Sequence, residues 1–190
     1  RAIPALFLPY QLQSEQYTSQ LWLYEGFTSY YDDLALVRCG LLTQEQYLAA
    51  LEKTINRVQL SPSEQVQSVA DSSFNAWTKY YKQDENAVNA VVSYYTKGSL
   101  IALCLDALLR SKGKTLDQLM QLAWRSYGEK ALGSSEQQFI QLCSDYADKD
   151  SARALHSWVY GTSALPLADL LPYLGLTTAK RQQEHSKDLS

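Results

Sequence analysis

Apolar residues recur at helical spacing along most of the chain, and the residues between them are helix punctuation. Tyr47, Leu48, Leu51, Ile55 and Val58 follow the helical period. They open on the capping box Thr43-Gln44-Glu45-Gln46 and close at Ser61-Pro62-Ser63. From Leu100 to about Leu109 the run is apolar on every side except at Asp106, which predicts a buried helix closed by Gly113. A second capping box, Thr115-Leu116-Asp117-Gln118, starts a helix that ends at Gly128. Ser134 or Ser135, each with Gln three residues on, starts another that carries Phe139, Ile140, Leu142 and Tyr146. Two more are expected, from about Ser151 to Tyr160 before Gly161, and from Leu167 to Leu174 behind Pro166 and broken by Pro172. No repeat of fixed period is present. The pattern predicts an all-α fold with few strands.

Three stretches depart from that rhythm. Residues 1–13, with Pro4 and Pro9, read as an extended lead-in. Ser14 is the expected N-cap of a helix through Glu25 to about Arg38, stopped by Gly40. Residues 64–88 set Val66, Val69, Phe74, Trp77, Tyr80 and Tyr81 among polar residues with no single period. A long irregular segment of that kind is often functional. From Thr177 the apolar residues disappear. Residues 14–175 are thus one helical domain, and 176–190 a linker or disordered tail. The chain begins at Arg1 without a methionine and reads as a piece of a longer protein.

Composition narrows the function classes. The 190 residues hold 17 basic and 20 acidic side chains, a formal charge of −3 without long runs. That is no electrostatic case for nucleic acid or an anionic membrane. The longest apolar run is too short to span a bilayer. Fourteen tyrosines and four tryptophans suggest pockets or a broad aromatic core. Cys39, Cys104 and Cys143 are far apart, among apolar residues, and form no Cys-x-x-Cys pair, so all three are expected to be buried reduced thiols. They favour a cytoplasmic over a periplasmic location without deciding it.

Catalytic groups are few. His185 lies in the polar tail, and His156 in a late helix reads as a partly buried structural residue. There is no His-Glu-x-x-His, no Gly-x-Ser-x-Gly and no phosphate-binding glycine loop. One stretch stands out. Leu21-Trp22-Leu23-Tyr24-Glu25-Gly26-Phe27-Thr28-Ser29-Tyr30-Tyr31 has Glu25 as its single charge and a glycine where helix propensity would not place one. In a helix, Thr28, Ser29 and Asp32 share the face of Glu25. That face is either a site or a polar stripe in water, and the stretch alone leaves both open.

Trp22-Leu23-Tyr24-Glu25-Gly26-Phe27-Thr28-Ser29-Tyr30 resembles the second zinc-site segment of gluzincin aminopeptidases, Trp-x-x-Glu-Gly-Phe-x-x-Tyr. Tyr95-Thr96-Lys97-Gly98-Ser99 resembles their Tyr-x-Lys-Gly-Ala segment, with Ser for Ala. The fuller likeness is to the glycyl aminopeptidase family. Phe7-Leu8-Pro9-Tyr10, Glu25 through Leu34, Leu36-Val37-Arg38-x-Gly40-Leu41, Lys53 through Val58, Gln67 through Ala70 and Ser93 through Gly98 all carry it, in order, over about residues 1–175.

The resemblance implies the helical C-terminal part of a thermolysin-like catalytic domain, lying after the His-Glu-x-x-His helix that gives two zinc ligands and the general base. Glu25 would be the third zinc ligand, which answers the cost of its burial. Zinc with three protein ligands keeps a fourth position for water and lowers its pKa. Thr28, Ser29 and Asp32, with Asp32 preferred over Asp33, would orient a ligand histidine. Tyr95 would donate a hydrogen bond to the oxyanion of the tetrahedral intermediate. Read as residues alone, Tyr94 and Tyr95 are core aromatics. Lys97 carries no assigned role. The expected function is part of a zinc-dependent aminopeptidase acting on N-terminal peptide bonds, with glycine or alanine preferred.

Without the histidines this chain alone is expected to be inactive and to bind zinc weakly or not at all. The face meant for the missing helix would then favour self-association. A PDZ-like domain would follow the tail. Two other readings stand beside this one: a non-catalytic helical interaction module with aromatic patches, and an enzyme of the wider aminopeptidase N type with other substrates. His-Glu-x-x-His upstream in the gene would separate the first of these from a peptidase.

Overall fold

A computed structural model describes residues 13–76, 78 and 92–179. Its regular structure is helical, with no strand among the described residues. A single π-helical turn, Trp22–Gly26, runs directly into α1 (Phe27–Arg38). Then come α2 (Gln44–Gln59), a 3-10 turn at Pro62–Gln65 and α3 (Val69–Phe74). The remainder is α4 (Tyr94–Arg110), α5 (Leu116–Ala123) with a second π turn at Trp124–Gly128, α6 (Glu136–Tyr146), α7 (Lys149–Tyr160), and α8 (Leu167–Leu170) with a closing 3-10 turn.

The apolar run at Leu100 makes α4 the axis of the molecule. Every residue from Leu100 to Ala107 is buried, as a helix hydrophobic all round requires. The π turn, α1, α2, α3, α5, α7 and α8 pack around it. Asp106 is the polar exception at 3% exposure, and it is fully bonded. Its carboxylate accepts from Leu116 N at 2.8 Å, Tyr30 Oη at 3.1 Å and Arg110 Nε at 2.9 Å. A buried carboxylate so satisfied joins three helices where an unpaired one would break them apart. Burial, and then the charge of Asp106, push the Tyr30 phenol well above its ordinary pKa.

Helix ends follow the punctuation. Thr43 and Ser135 each form a reciprocal capping box, and Thr115 caps α5. At the end of α1, Leu41 N reaches the Leu36 carbonyl and Gly40 N that of Val37, with Gly40 at φ 72°. This is a Schellman ending, which needs the left-handed backbone that glycine adopts without strain.

The structure corrects the sequence reading in five places. Ser14 caps no helix; the chain becomes helical only at the π turn. The segment before it spends its polar groups elsewhere: Gln20 N donates to Thr18 Oγ1, and the Gln20 side chain reaches the Ser134 carbonyl at 3.1 Å. One local and one tertiary bond here take the place of helix growth. Within the irregular 64–88 stretch, Val69–Phe74 is helical, capped by Ser68, whose Oγ accepts from Asp71 N at 3.1 Å. The pattern Ser68-x-x-Asp71 carried that signal. The central helix starts six residues before Leu100, at Tyr94, capped by Ser93. Cys39 is exposed at the end of α1, whereas Cys104 and Cys143 are buried. His156 is exposed and lies on the Tyr160 ring with centroids 4.5 Å apart. The lead-in before Gln13, Trp77, residues 79–91 and the tail from Lys180 lie outside the described residues.

Candidate functional site

The two motif segments, remote in sequence, meet through their glycines. A Cβ on Gly26 would stand 2.6 Å from Gly98 Cα and 3.0 Å from the Tyr94 carbonyl oxygen. A Cβ on Gly98 would stand 2.8 Å from the Trp22 carbonyl oxygen and 2.9 Å from Gly26 Cα. No side chain fits between these backbones. Glycine therefore occurs inside two helices at a propensity cost of roughly 1 kcal/mol each, because it lets the Glu25 turn lie against the first turns of α4. Glu25 precedes one glycine and Tyr95 sits one turn before the other.

The Glu25 turn is itself unusual. Trp22–Gly26 adds one residue to the helical turn, a geometry that appears mostly as single turns, frequently at functional sites. Trp22 and Leu23 are buried, while Glu25 is half-buried. Glu25 thus keeps partial exposure on an otherwise apolar segment.

The remaining predicted residues behave differently from one another. Thr28 Oγ1 donates to the Tyr24 carbonyl, and Ser29 Oγ to the Glu25 carbonyl at 2.8 Å. Both hydroxyls therefore return to the helix backbone, a common habit of Ser and Thr inside helices. Asp32 and Asp33 are both exposed on α1. Tyr95 is half-buried, its ring 4.6 Å from that of the fully buried Tyr94. Lys97, on the same turn, is also fully buried. Among the described residues no three His, Cys, Asp or Glu side chains converge. A carboxylate such as that of Glu25 is chemically suited to bind a metal, but one carboxylate does not make a site by itself.

The linear pattern gave no warning of a tie between the Glu25 turn and the start of α6. The Glu136 carboxylate accepts from Trp22 Nε1 at 2.8 Å, Ser19 Oγ at 2.5 Å and Tyr160 Oη at 3.0 Å. Tyr24 Oη and Ser134 Oγ are hydrogen-bonded to each other at 2.8 Å. Only the capping box at Ser135 hinted that this end of α6 had a defined shape. A separate groove of about 560 Å³ between Tyr31, Arg38, Asp117, Met120, Trp124 and Arg125 includes none of the candidate site residues Glu25, Thr28, Ser29, Asp32 and Tyr95.

A helical domain that seats a Trp-x-x-Glu-Gly-Phe turn on a Tyr-x-Lys-Gly helix has the makings of part of a peptidase domain, and the comparisons agree. Residues 1–101 match the family model of the M61 glycyl aminopeptidases. The chain belongs to that family. It also superposes on the crystal structure of an aminopeptidase N family protein from Idiomarina loihiensis, with 42% identity and a TM-score of 0.86. That match covers 90% of this chain and 30% of the other, so the chain spans less than a third of that protein's length. No curated protein matches the chain.

Proposed function

We propose that this chain forms one wall of a zinc aminopeptidase active site of the gluzincin type. Glu25 would hold the metal from the π turn, and Tyr95 would donate its phenolic hydrogen bond to oxyanion charge that develops only in the transition state. Zinc, when bound, supplies Lewis acidity and an activated water. What the chain's own residues contribute is placement. The Gly26–Gly98 approach carries the reading, because it alone brings the two motif segments side by side. Apolar Trp22, Leu23 and Phe27 are buried and fix the turn, while Glu25 on the same turn keeps partial exposure. Thr28 and Ser29 donate to carbonyls of that turn. Asp32 remains the candidate to orient a ligand histidine.

The histidine ligands and general base would come from a His-Glu-x-x-His helix outside this sequence. On this reading the chain by itself is inactive and binds zinc poorly, its Glu25 face favours self-association, and the complete enzyme prefers glycine or alanine at the substrate's amino terminus. The test uses the protein that carries the chain together with that helix. Glu25→Ala should remove zinc and peptidase activity together, by metal analysis and turnover of aminoacyl substrates. Unchanged zinc content would return Glu25 to a structural role.

A further inference from the structure

Glu136, like Asp106, is a buried and multiply bonded carboxylate that the proposed chemistry does not use, and it is the one bonded to the Glu25 turn. Its side chain is 5% exposed, at the first position of α6, where the helix end favours a negative charge. Its oxygens take hydrogen bonds from the Trp22 indole, the Ser19 hydroxyl and the Tyr160 phenol. Burial and the Glu136 charge raise the Tyr160 phenol above its ordinary pKa. A buried carboxylate is tolerated because those donors stand where they do, and conversely it holds them there.

Trp22 is the donor that matters for the site. Its indole is fully buried, edge-on to Phe27 at 5.8 Å and Phe139 at 6.5 Å. Its backbone N donates to Ser73 Oγ at 3.1 Å. The residue is therefore gripped at both ends, and it opens the π turn that contains Glu25. A π turn costs energy relative to an α-helical one and persists only where surrounding structure over-determines it. Releasing the indole would let the turn revert to α-helical winding, which rotates Glu25 about the helix axis relative to α1.

We propose that Glu136 is a positioning residue for the metal site: by holding the Trp22 indole it keeps the π turn wound and aims the Glu25 carboxylate. The proposal rests on the reading of Glu25 as a metal ligand. It assigns a site function to a residue outside the family-matched segment 1–101.

The test is made in the complete protein with Glu136→Met, which keeps length but offers no oxygen, Glu136→Gln, which keeps an acceptor, and Trp22→Phe. Zinc affinity by chelator competition, kcat and KM separately, and thermal midpoint are measured for each. Glu136→Met should weaken zinc by about tenfold or more, the usual loss when a supporting residue of a metal site is removed. It should also lower kcat with little change in KM, and Glu136→Gln should recover most of both. Trp22→Phe added to Glu136→Met should bring no further loss, since both act through one bond. If Glu136→Met does not fold, Trp22→Phe alone, which removes the donor together with part of the buried ring, should show the same weakening of zinc. Wild-type zinc affinity and kcat in either variant beside a lowered midpoint would overturn the proposal. So would losses that multiply in the double variant. Glu25→Ala separates the two readings: zinc retained there removes the ligand assignment itself, whereas zinc lost there but kept by Glu136→Met removes only the positioning role.

Discussion

Gly26 and Gly98 touch backbone to backbone, and the touch decides which substitutions the site can bear. On an open helix Gly98→Ala would gain about 1 kcal/mol from propensity. Here its Cβ would lie 2.8 Å from the Trp22 carbonyl oxygen, and overpacking against unyielding neighbours costs about 1–3 kcal/mol. Gly98→Ala should therefore destabilise the fold, measured as a lower urea midpoint. A stabilised variant would show that the two helices do not approach this closely.

In the complete protein, Tyr95→Phe should lower kcat by about 10²–10³-fold with small change in KM, the loss expected for one oxyanion donor. Tyr95 is half-buried at the start of α4, so the ring can stay packed without its hydroxyl. Near-normal turnover would make it a packing residue.

Asp148 caps α7 and is bonded by Lys112 Nζ at 2.5 Å and by Ser151 N. The Lys112 ammonium first, then the Ser151 amide, hold its pKa at about 2, below the ordinary 3.8. A pKa lowered by folding stabilises above the unfolded value and is lost as pH falls through the folded one. Asp148→Asn still caps a helix, so it should flatten the acid limb of the stability curve between about pH 4 and pH 2. The effect is small, because the pair is partly exposed. Unchanged curvature there would mean the pair contributes nothing to stability.

The three thiols should separate by reactivity. Cys39 is exposed, while burial pushes Cys104 up to about 12 and Cys143 up to about 11. A thiol reagent near pH 8 should label Cys39 quickly and the other two only on unfolding. Fast labelling of Cys104 in the native protein would contradict the burial of α4.

Ala131 carries a left-handed backbone, φ 50°, in a Schellman ending where Leu132 N reaches the Tyr127 carbonyl. The same position at the end of α1 is a glycine. Ala131→Gly should relieve about 1–2 kcal/mol of strain, partly offset by unfolded-state entropy, and raise the thermal midpoint slightly. A clear drop would show that the Ala131 methyl contributes packing.

Much of this architecture was legible because its signals are local. Capping boxes at Thr43 and Ser135, stops at Gly40 and Gly161, and the greasy run through Leu100 are each read within one or two turns. Glu25 and Tyr95 were legible as motif members, but nothing linear revealed that Gly26 and Gly98 interlock. The start of the first helix was misplaced because Gln20 and Trp22 are bonded to residues more than a hundred positions later, and propensity carries no information about distant partners. Cys39 was misplaced because an apolar neighbourhood in sequence became a solvent-facing helix end. Thr28 and Ser29 share a helix face with Glu25 as spacing predicts, yet their hydroxyls turn to carbonyls, a rotamer choice that spacing does not encode.

The bond between Trp22 and Glu136 also sets an order of events. The two residues are 114 positions apart, so closing this contact requires a long loop to be ordered, and such non-local contacts slow folding. On the ribosome, both motifs emerge well before Glu136 does. The turn that presents Glu25 therefore reaches its final winding only after α6 has been made, and a chain released earlier carries both motifs without the shape they need.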